Sequence, residues 1–121
     1  CDEEIITLDE IEEQGIKVEE FDTISTSENA VLIKEALELK TLKLSQEIHL
    51  TKGISIRINF TIDPQDEDVR IGILQPDGII RYIHCSEYMS YDFNITQTGI
   101  YKIYVYNNSD EDVDIFISYA Y

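Results

Sequence analysis

The chain has 121 residues, a formal net charge of −16 and a pI near 4.2. That length is one domain, large enough to bury a core without disulfide staples. The charge repels nucleic acid phosphates and anionic lipid headgroups, which makes both poor partners, and no run of about 18 apolar residues is present to span a bilayer.

Charge divides the chain. Residues 1–28 hold eleven Asp/Glu and one Lys, a net of −10; residues 29–121 hold fourteen Asp/Glu and eight Lys/Arg, a net of −6. Residues 1–29 therefore read as an acidic leader, an extended tether with at most one strand or helical turn docking on the domain. Leu8, Ile11 and the acids around them suit a short helix, and Thr23 to Asn29 has a linker's polar composition. Residues 30–121 read as the folded domain.

Ala30 to Leu44 is ambiguous between helix and strand. The local alternations Leu37/Leu39 and Leu42/Leu44, continued by Ile48/Leu50, favour strands. From Lys52-Gly53, a turn, the alternation is strong. Ile54, Ile56, Ile58, Phe60 and Ile62 interleave with polar residues, as in a strand with one wet face. Asp63 to Glu67 is a turn, where Pro64 bars strand continuation. Val69, Ile71 and Ile73 form the next strand. Gln75-Pro76-Asp77-Gly78 is a tight turn, and Ile79 to Cys85 is the hairpin partner. Ser86-Glu87-Tyr88 reads as a loop, followed by Tyr91, Phe93 and Ile95. After Thr96 to Gly99, the alternations at Tyr101, Ile103 and Val105 and then at Val113, Ile115, Ile117, Tyr119 and Tyr121 read as a closing hairpin, with Tyr121 built into the sheet. Short strands between turns every 8–15 residues indicate an all-β, antiparallel, jelly-roll-like sandwich of seven or eight strands.

Few residues suggest chemistry. His84 and Cys85 are neighbours in a strand, so their side chains face opposite ways and cannot form a nucleophile–base pair. The two cysteines, Cys1 and Cys85, specify no disulfide framework. Asp63, Asp66 and Asp68 in one turn, and Asp110, Asp112 and Asp114 in another, are weak calcium candidates without EF-hand spacing. No zinc spacing occurs. With 25 acids, carboxylate pairs arise by chance, and most lie where nothing desolvates them. The aromatics are the better signal. Tyr101, Tyr119 and Tyr121 share the core parity, whereas Tyr104, Tyr106 and Phe116 have the opposite one. If their strands pair, these three form an exposed patch suited to a glycan or a protein. The alternative is that the leader or residues 30–44 cover it.

Three stretches carry a resemblance: Leu50-Thr51-Lys52-Gly53-Ile54-Ser55-Ile56, the hairpin from Val69 to Gly78, and Thr98-Gly99-Ile100-Tyr101 through Asn107-Asn108-Ser109. In that order they resemble the strand-and-turn motifs of bacterial pre-peptidase C-terminal (PPC-like) and related jelly-roll domains. The resemblance covers about residues 50–121 and implies an extracytoplasmic, non-catalytic β-sandwich. It transfers no catalytic residue and no calcium or carbohydrate motif. Cys1 followed by Asp2-Glu3-Glu4 resembles the start of a mature bacterial lipoprotein, which implies lipid attachment at Cys1 and display on the cell surface. A truncation point is the alternative. The function expected is a non-catalytic accessory or binding domain without a cofactor. The alternatives are the extracytoplasmic sensor domain of a larger membrane protein, such as a BlaR-like metallopeptidase, and a small enzyme.

Overall fold

The alternation of branched apolar residues with Ser, Arg, Asn and Thr is what a half-buried strand requires, and it governs most of the chain. The computed structural model describes residues 3–21, 24–26, 31–63, 67–85 and 88–121, with backbone alone for 24–26, 31–35 and 85. In chain order the elements are β1 (Glu4–Thr7), α1 (Leu8–Glu13), β2 (Lys17–Glu20), β3 (Ile24–Thr26), β4 (Val31–Leu37), β5 (Thr41–Leu44) and β6 (Ile48–Leu50). There follow β7 (Ser55–Asp63), β8 (Val69–Leu74), β9 (Ile79–Cys85), β10 (Tyr88–Asn94), β11 (Gly99–Asn107) and β12 (Val113–Ala120). Among the described residues no helix is long and apolar enough to cross a membrane.

The strands form two sheets. One has the order β1-β9-β8-β11-β5-β2, with β6 pairing the start of β11; the other has the order β10-β7-β12-β4-β3. All pairings are antiparallel except β2 with β5. The inward residues of both sheets, among them Ile56, Ile58 and Phe60 of β7, Ile71 and Ile73 of β8, and Ile103 and Val105 of β11, make one buried core. The all-β sandwich is as the sequence indicates, and within the ambiguous 30–44 segment Val31–Leu37 and Thr41–Leu44 are strands. Among the described residues there are twelve strands where seven or eight were expected; β1, β2 and β3 come from the acidic leader and the other nine from the rest of the chain.

That leader differs from an extended tether over Glu4–Glu20. β1 pairs β9, and β2 runs parallel to β5. Between them α1 starts at Thr7, whose Oγ1 accepts the Glu10 amide at 3.2 Å, and ends at Gly15, whose φ of +70° suits the residue after a helix. Its Ile11 is buried with Leu42, Leu44, Ile80, Tyr82, Tyr104 and Tyr106, a second apolar cluster on the outer face of the larger sheet. Acidic composition favours a solvated chain, but Ile6, Leu8, Ile11 and Ile16 supply an apolar stripe that wins over Glu4–Glu20.

The last two strands are not a hairpin. β11 lies in the larger sheet, while β12 sits in the smaller one between β7 and β4. The crossover is held by Asn107, which is fully buried. Its Nδ2 donates to the carbonyls of Leu37 and Glu111 at 3.1 and 2.8 Å. Its Oδ1 accepts from the Ser109 amide and hydroxyl at 2.9 and 2.6 Å. Tyr121 lies beyond the end of β12 and is 65% exposed, unlike Tyr101 and Tyr119, which are core as expected.

Candidate binding face

Because β11 and β12 belong to different sheets, the three aromatics nominated from sequence do not meet. Tyr104 and Tyr106 are buried beneath α1 on the outer face of the larger sheet. Burial raises the hydroxyl pKa of both, and the Arg70 guanidinium opposes that rise. Arg70 lies 5.3 Å from the Tyr82 ring centre and 5.5 Å from that of Tyr106, a cation–π arrangement. Of the three, Phe116 alone is exposed, at 40%, and it projects from the opposite side of the molecule.

The polar candidates also find structural partners. The ring of His84 stands between two carboxylates: Nδ1 is 3.0 Å from Asp68 Oδ1, and Nε2 contacts Glu4 Oε2. Asp68 Oδ2 accepts from Asn108 at 2.8 Å. Desolvation would raise the Asp68 pKa, but the hydrogen bonds from Asn108 and His84 outweigh it and hold the carboxyl below its ordinary range. Asp63 is exposed at the end of β7, and Asp66 and Cys1 lie outside the described residues. Of the second aspartate cluster, Asp112 accepts the Leu39 amide at 3.0 Å and Asp110 lies 3.8 Å from Lys40 Nζ. Asp114 sits opposite Asp63 in the strand register. Among the described residues no three His, Cys, Asp or Glu side chains assemble to hold a metal. His84 is exposed, and the Cys85 side chain is outside the description.

The outer face of the smaller sheet has a different character. The registers of β10, β7 and β12 set Tyr88 beside Thr61 and Thr61 beside Phe116. The next row is Ser90, Asn59 and Ser118, with Asn59 Nδ2 donating to Ser118 Oγ at 3.3 Å. In the row after that, Arg57 grips Asp92 through two hydrogen bonds of 2.8 and 3.1 Å, so their charges cancel. The Arg57 hydrogen bond holds the Asp92 carboxyl below its ordinary range. The last row pairs Ser55 with Asn94, hydroxyl to amide oxygen, at 2.9 Å. Over β10, β7 and β12 the charges of these rows cancel, and the register continues the first row from Phe116 to Lys34 of β4. The Asp63–Asp114 pair borders them at one end.

Tyr88, 64% exposed, was missed by reading 86–88 as a loop. Extending the β10 alternation backward from Phe93 gives Tyr88 the outward parity of Ser90 and Asp92, which is the signal that finds it.

No known protein family and no curated protein matches the chain. Solved structures do. The Aeromonas hydrophila PliG, a periplasmic lysozyme inhibitor of g-type lysozyme, superposes with a TM-score of 0.55 at 12% identity, over 86% of this chain and 96% of that one. The pre-peptidase C-terminal domain of a Bacillus anthracis collagenase superposes with a TM-score of 0.57 at 15% identity, over 85% and 92%. At such identities the likeness is one of fold: this chain has the sandwich architecture of both.

Proposed function

We infer that the protein is a non-catalytic, extracytoplasmic binding module whose contact surface is the outer face of the smaller sheet. The observation carrying this reading is the row Tyr88–Thr61–Phe116, two exposed aromatic rings on the outer face of one sheet. Exposed aromatics gathered on one face mark contact sites, because a ring offers apolar area while its neighbours supply hydrogen bonds. One of the sandwiches it resembles is named as a periplasmic lysozyme inhibitor, which supports the location. Attachment through a lipidated Cys1 belongs to the same reading, as does the alternative of a sensor domain in a larger membrane protein. Mass spectrometry of the native protein from membranes separates the two.

The test of the face is capture of cell-envelope glycans and proteins by the immobilised domain, compared with a Tyr88→Ala/Phe116→Ala variant of unchanged circular dichroism. Loss of capture is expected; equal capture refutes the assignment.

A second reading rests on a different observation. Asp9, Glu10, Glu12 and Glu13 of α1, with Glu19 and Glu20 of β2, put the densest negative charge on the larger sheet's side. This favours a cationic protein partner steered electrostatically, in keeping with the inhibitor likeness. A capture that weakens steeply with salt and survives the Tyr88/Phe116 substitutions would select it.

A further inference from the structure

The smaller sheet ends at β10, and the edge it presents there is built differently from the other sheet edges. Ile95 donates its amide to the Ile54 carbonyl at 2.9 Å. By the two-residue period of an antiparallel ladder, Met89, Tyr91 and Phe93 therefore bond to β7 through their backbone. Ser90, Asp92 and Asn94 turn their N–H and C=O groups the other way. Among the described residues no strand pairs β10 on that side. Arg81 closes the edge at one end, where its Nη1 donates to the Asn94 carbonyl at 2.6 Å. Natural sheet edges are blunted by brevity or by charge. β1 and β2 have four residues each, with Lys17, Glu19 and Glu20 on β2, and β3 has three. β10 has seven, and its one charge, Asp92, is held by Arg57.

The larger sheet frames the same place. Arg81 of β9 reaches over β10, 5.7 Å from the Phe93 ring centre, so β9 lies opposite β10. β1, the next strand out, then lies opposite the position beyond β10. Ile5 is set beside Arg81 in register and shares its inward side, yet Ile5 is 68% exposed. Met89 and Tyr91 of β10 pack partly buried against the core. One more strand beside β10 would cover these side chains and take up the backbone groups of Ser90 and Asp92.

The edge also defines its occupant. Backbone donors and acceptors at strand spacing select an extended polypeptide over a sugar or a nucleic acid. Residues of that strand facing inward meet Ile5, Met89 and Tyr91, which calls for apolar side chains. Residues facing outward meet the field of a chain of −16, which calls for Lys or Arg. The same charge opposes a second copy of this chain at the edge.

We propose that β10 accepts an extended strand of a partner protein, with apolar and basic residues in alternation, along Ser90 and Asp92 and opposite Ile5 of β1. This surface is the edge of the sheet, apart from the ring-bearing face, and neither proposal needs the other.

The test uses the full chain and a peptide of alternating Val and Lys, about nine residues long to match β10, with the Val/Glu peptide as control. In the chain alone, hydrogen exchange read by NMR should be fast at the Ser90 and Asp92 amides and slow at those of Tyr91 and Phe93. The Val/Lys peptide should slow exchange at Ser90 and Asp92, and the Val/Glu peptide should bind about tenfold more weakly. Ser90→Pro removes an outward N–H and leaves the ladder to β7 and both exposed rings in place; it should weaken peptide binding about tenfold. Should that variant misfold, Ile5→Ser, at an exposed position, should weaken binding about fivefold at unchanged Tm. Val18→Ala on β2, at the opposite edge of the larger sheet, should change nothing. Slow exchange at Ser90 and Asp92 in the chain alone overturns the proposal. If that protection is independent of concentration, a segment of the chain itself fills the edge; if it rises with concentration, a second copy does. No slowing with the Val/Lys peptide also overturns it, as does equal binding of the two peptides. Changes confined to α1 and β2 overturn it too, because they mark adhesion to the carboxylates there.

Discussion

Replacing Ile11 with Ala tests whether the acidic N-terminal segment is part of the fold. Ile11 is 1% exposed and sits among Leu42, Leu44, Ile80 and three tyrosines. Truncating a side chain so enclosed removes its transfer free energy and leaves a cavity, together about 2–5 kcal/mol. A helix of six residues has no stability of its own, so α1 stays in place by this contact and by the partly buried Ile6, Leu8 and Ile16 around it. The expected loss is toward the middle of that range, about 3 kcal/mol. For a domain of this size it lowers Tm by roughly 10 °C. Calorimetry reads the global loss, and hydrogen exchange by mass spectrometry reads whether β1 and α1 open first as a local unit. Val18→Ala, at a position 44% exposed, is the control and should cost less than about 0.5 kcal/mol. Should Ile11→Ala match that control in both melting and exchange over residues 4–13, α1 does not cover the sheet and the structural argument is wrong.

Other perturbations probe the rest of the architecture. A Cβ on Gly72 would stand 1.9 Å from the Arg81 carbonyl oxygen and 2.6 Å from the Tyr82 Cα, both backbone, so Gly72→Ala should destabilise by about 1–3 kcal/mol in urea unfolding. Asn107→Ala strips the β11–β12 crossover of its buried hydrogen bonds to Leu37, Glu111 and Ser109. It should cost on the order of 2–3 kcal/mol by chemical denaturation, whereas a surface-like cost would refute the anchoring role. Asp68 has a lowered folded pKa, so its contribution is present above the ordinary carboxyl pKa and is lost as pH falls through the folded value; Asp68→Asn should flatten the acid limb of stability below about pH 4. Tyr119 runs the other way. Burial, aided by the charge of Tyr121, pushes its hydroxyl up to about 12, so its contribution holds below about pH 10 and fades toward pH 12; Tyr119→Phe should be the more stable form at the alkaline end of a pH-dependent melt.

The fold was legible where one physical signal dominated. Period-two patterning placed β7, β8 and β11, and the Pro76-Asp77-Gly78 turn closed the β8–β9 hairpin as its residues require, with Gly78 at a φ of +86°. Legibility failed where layer and cover decide. Alternation assigns each residue a side of its strand, but it does not say which sheet the strand joins. Tyr104, Tyr106 and Phe116 therefore had the right parity and the wrong neighbourhood. The acidic segment was misjudged for a related reason. Its carboxylates are spread over α1 and β2 and dominate the composition, while Ile11, one side chain, decides where α1 rests. Such a contact joins residues far apart in the chain, and no local window contains both ends. The Arg57–Asp92 pair of the outer face was equally hidden, because the two residues are separated by thirty-five positions and meet only once β7 pairs β10.

The placement of the acidic segment also determines where a ligand can go. A two-layer sandwich has four sheet faces, and the two inner ones form the core. In a fold with a bare N-terminus, both outer faces would be available, and the tyrosines of β9 and β11 would be the more inviting. Here α1 lies over Tyr82, Tyr104 and Tyr106, and Glu3 fastens β1 by gripping Arg81 at 2.8 Å, so that face shows solvent a negative helix instead of rings. Among the described residues, the exposed rings on a sheet's outer face are on the other layer, at Tyr88 and Phe116. The acidic segment thus concentrates negative charge on one side of the molecule and leaves a ring-bearing face on the other. That asymmetry lets an acidic protein present aromatic surface to a ligand without desolvating the carboxylates of α1 and β2.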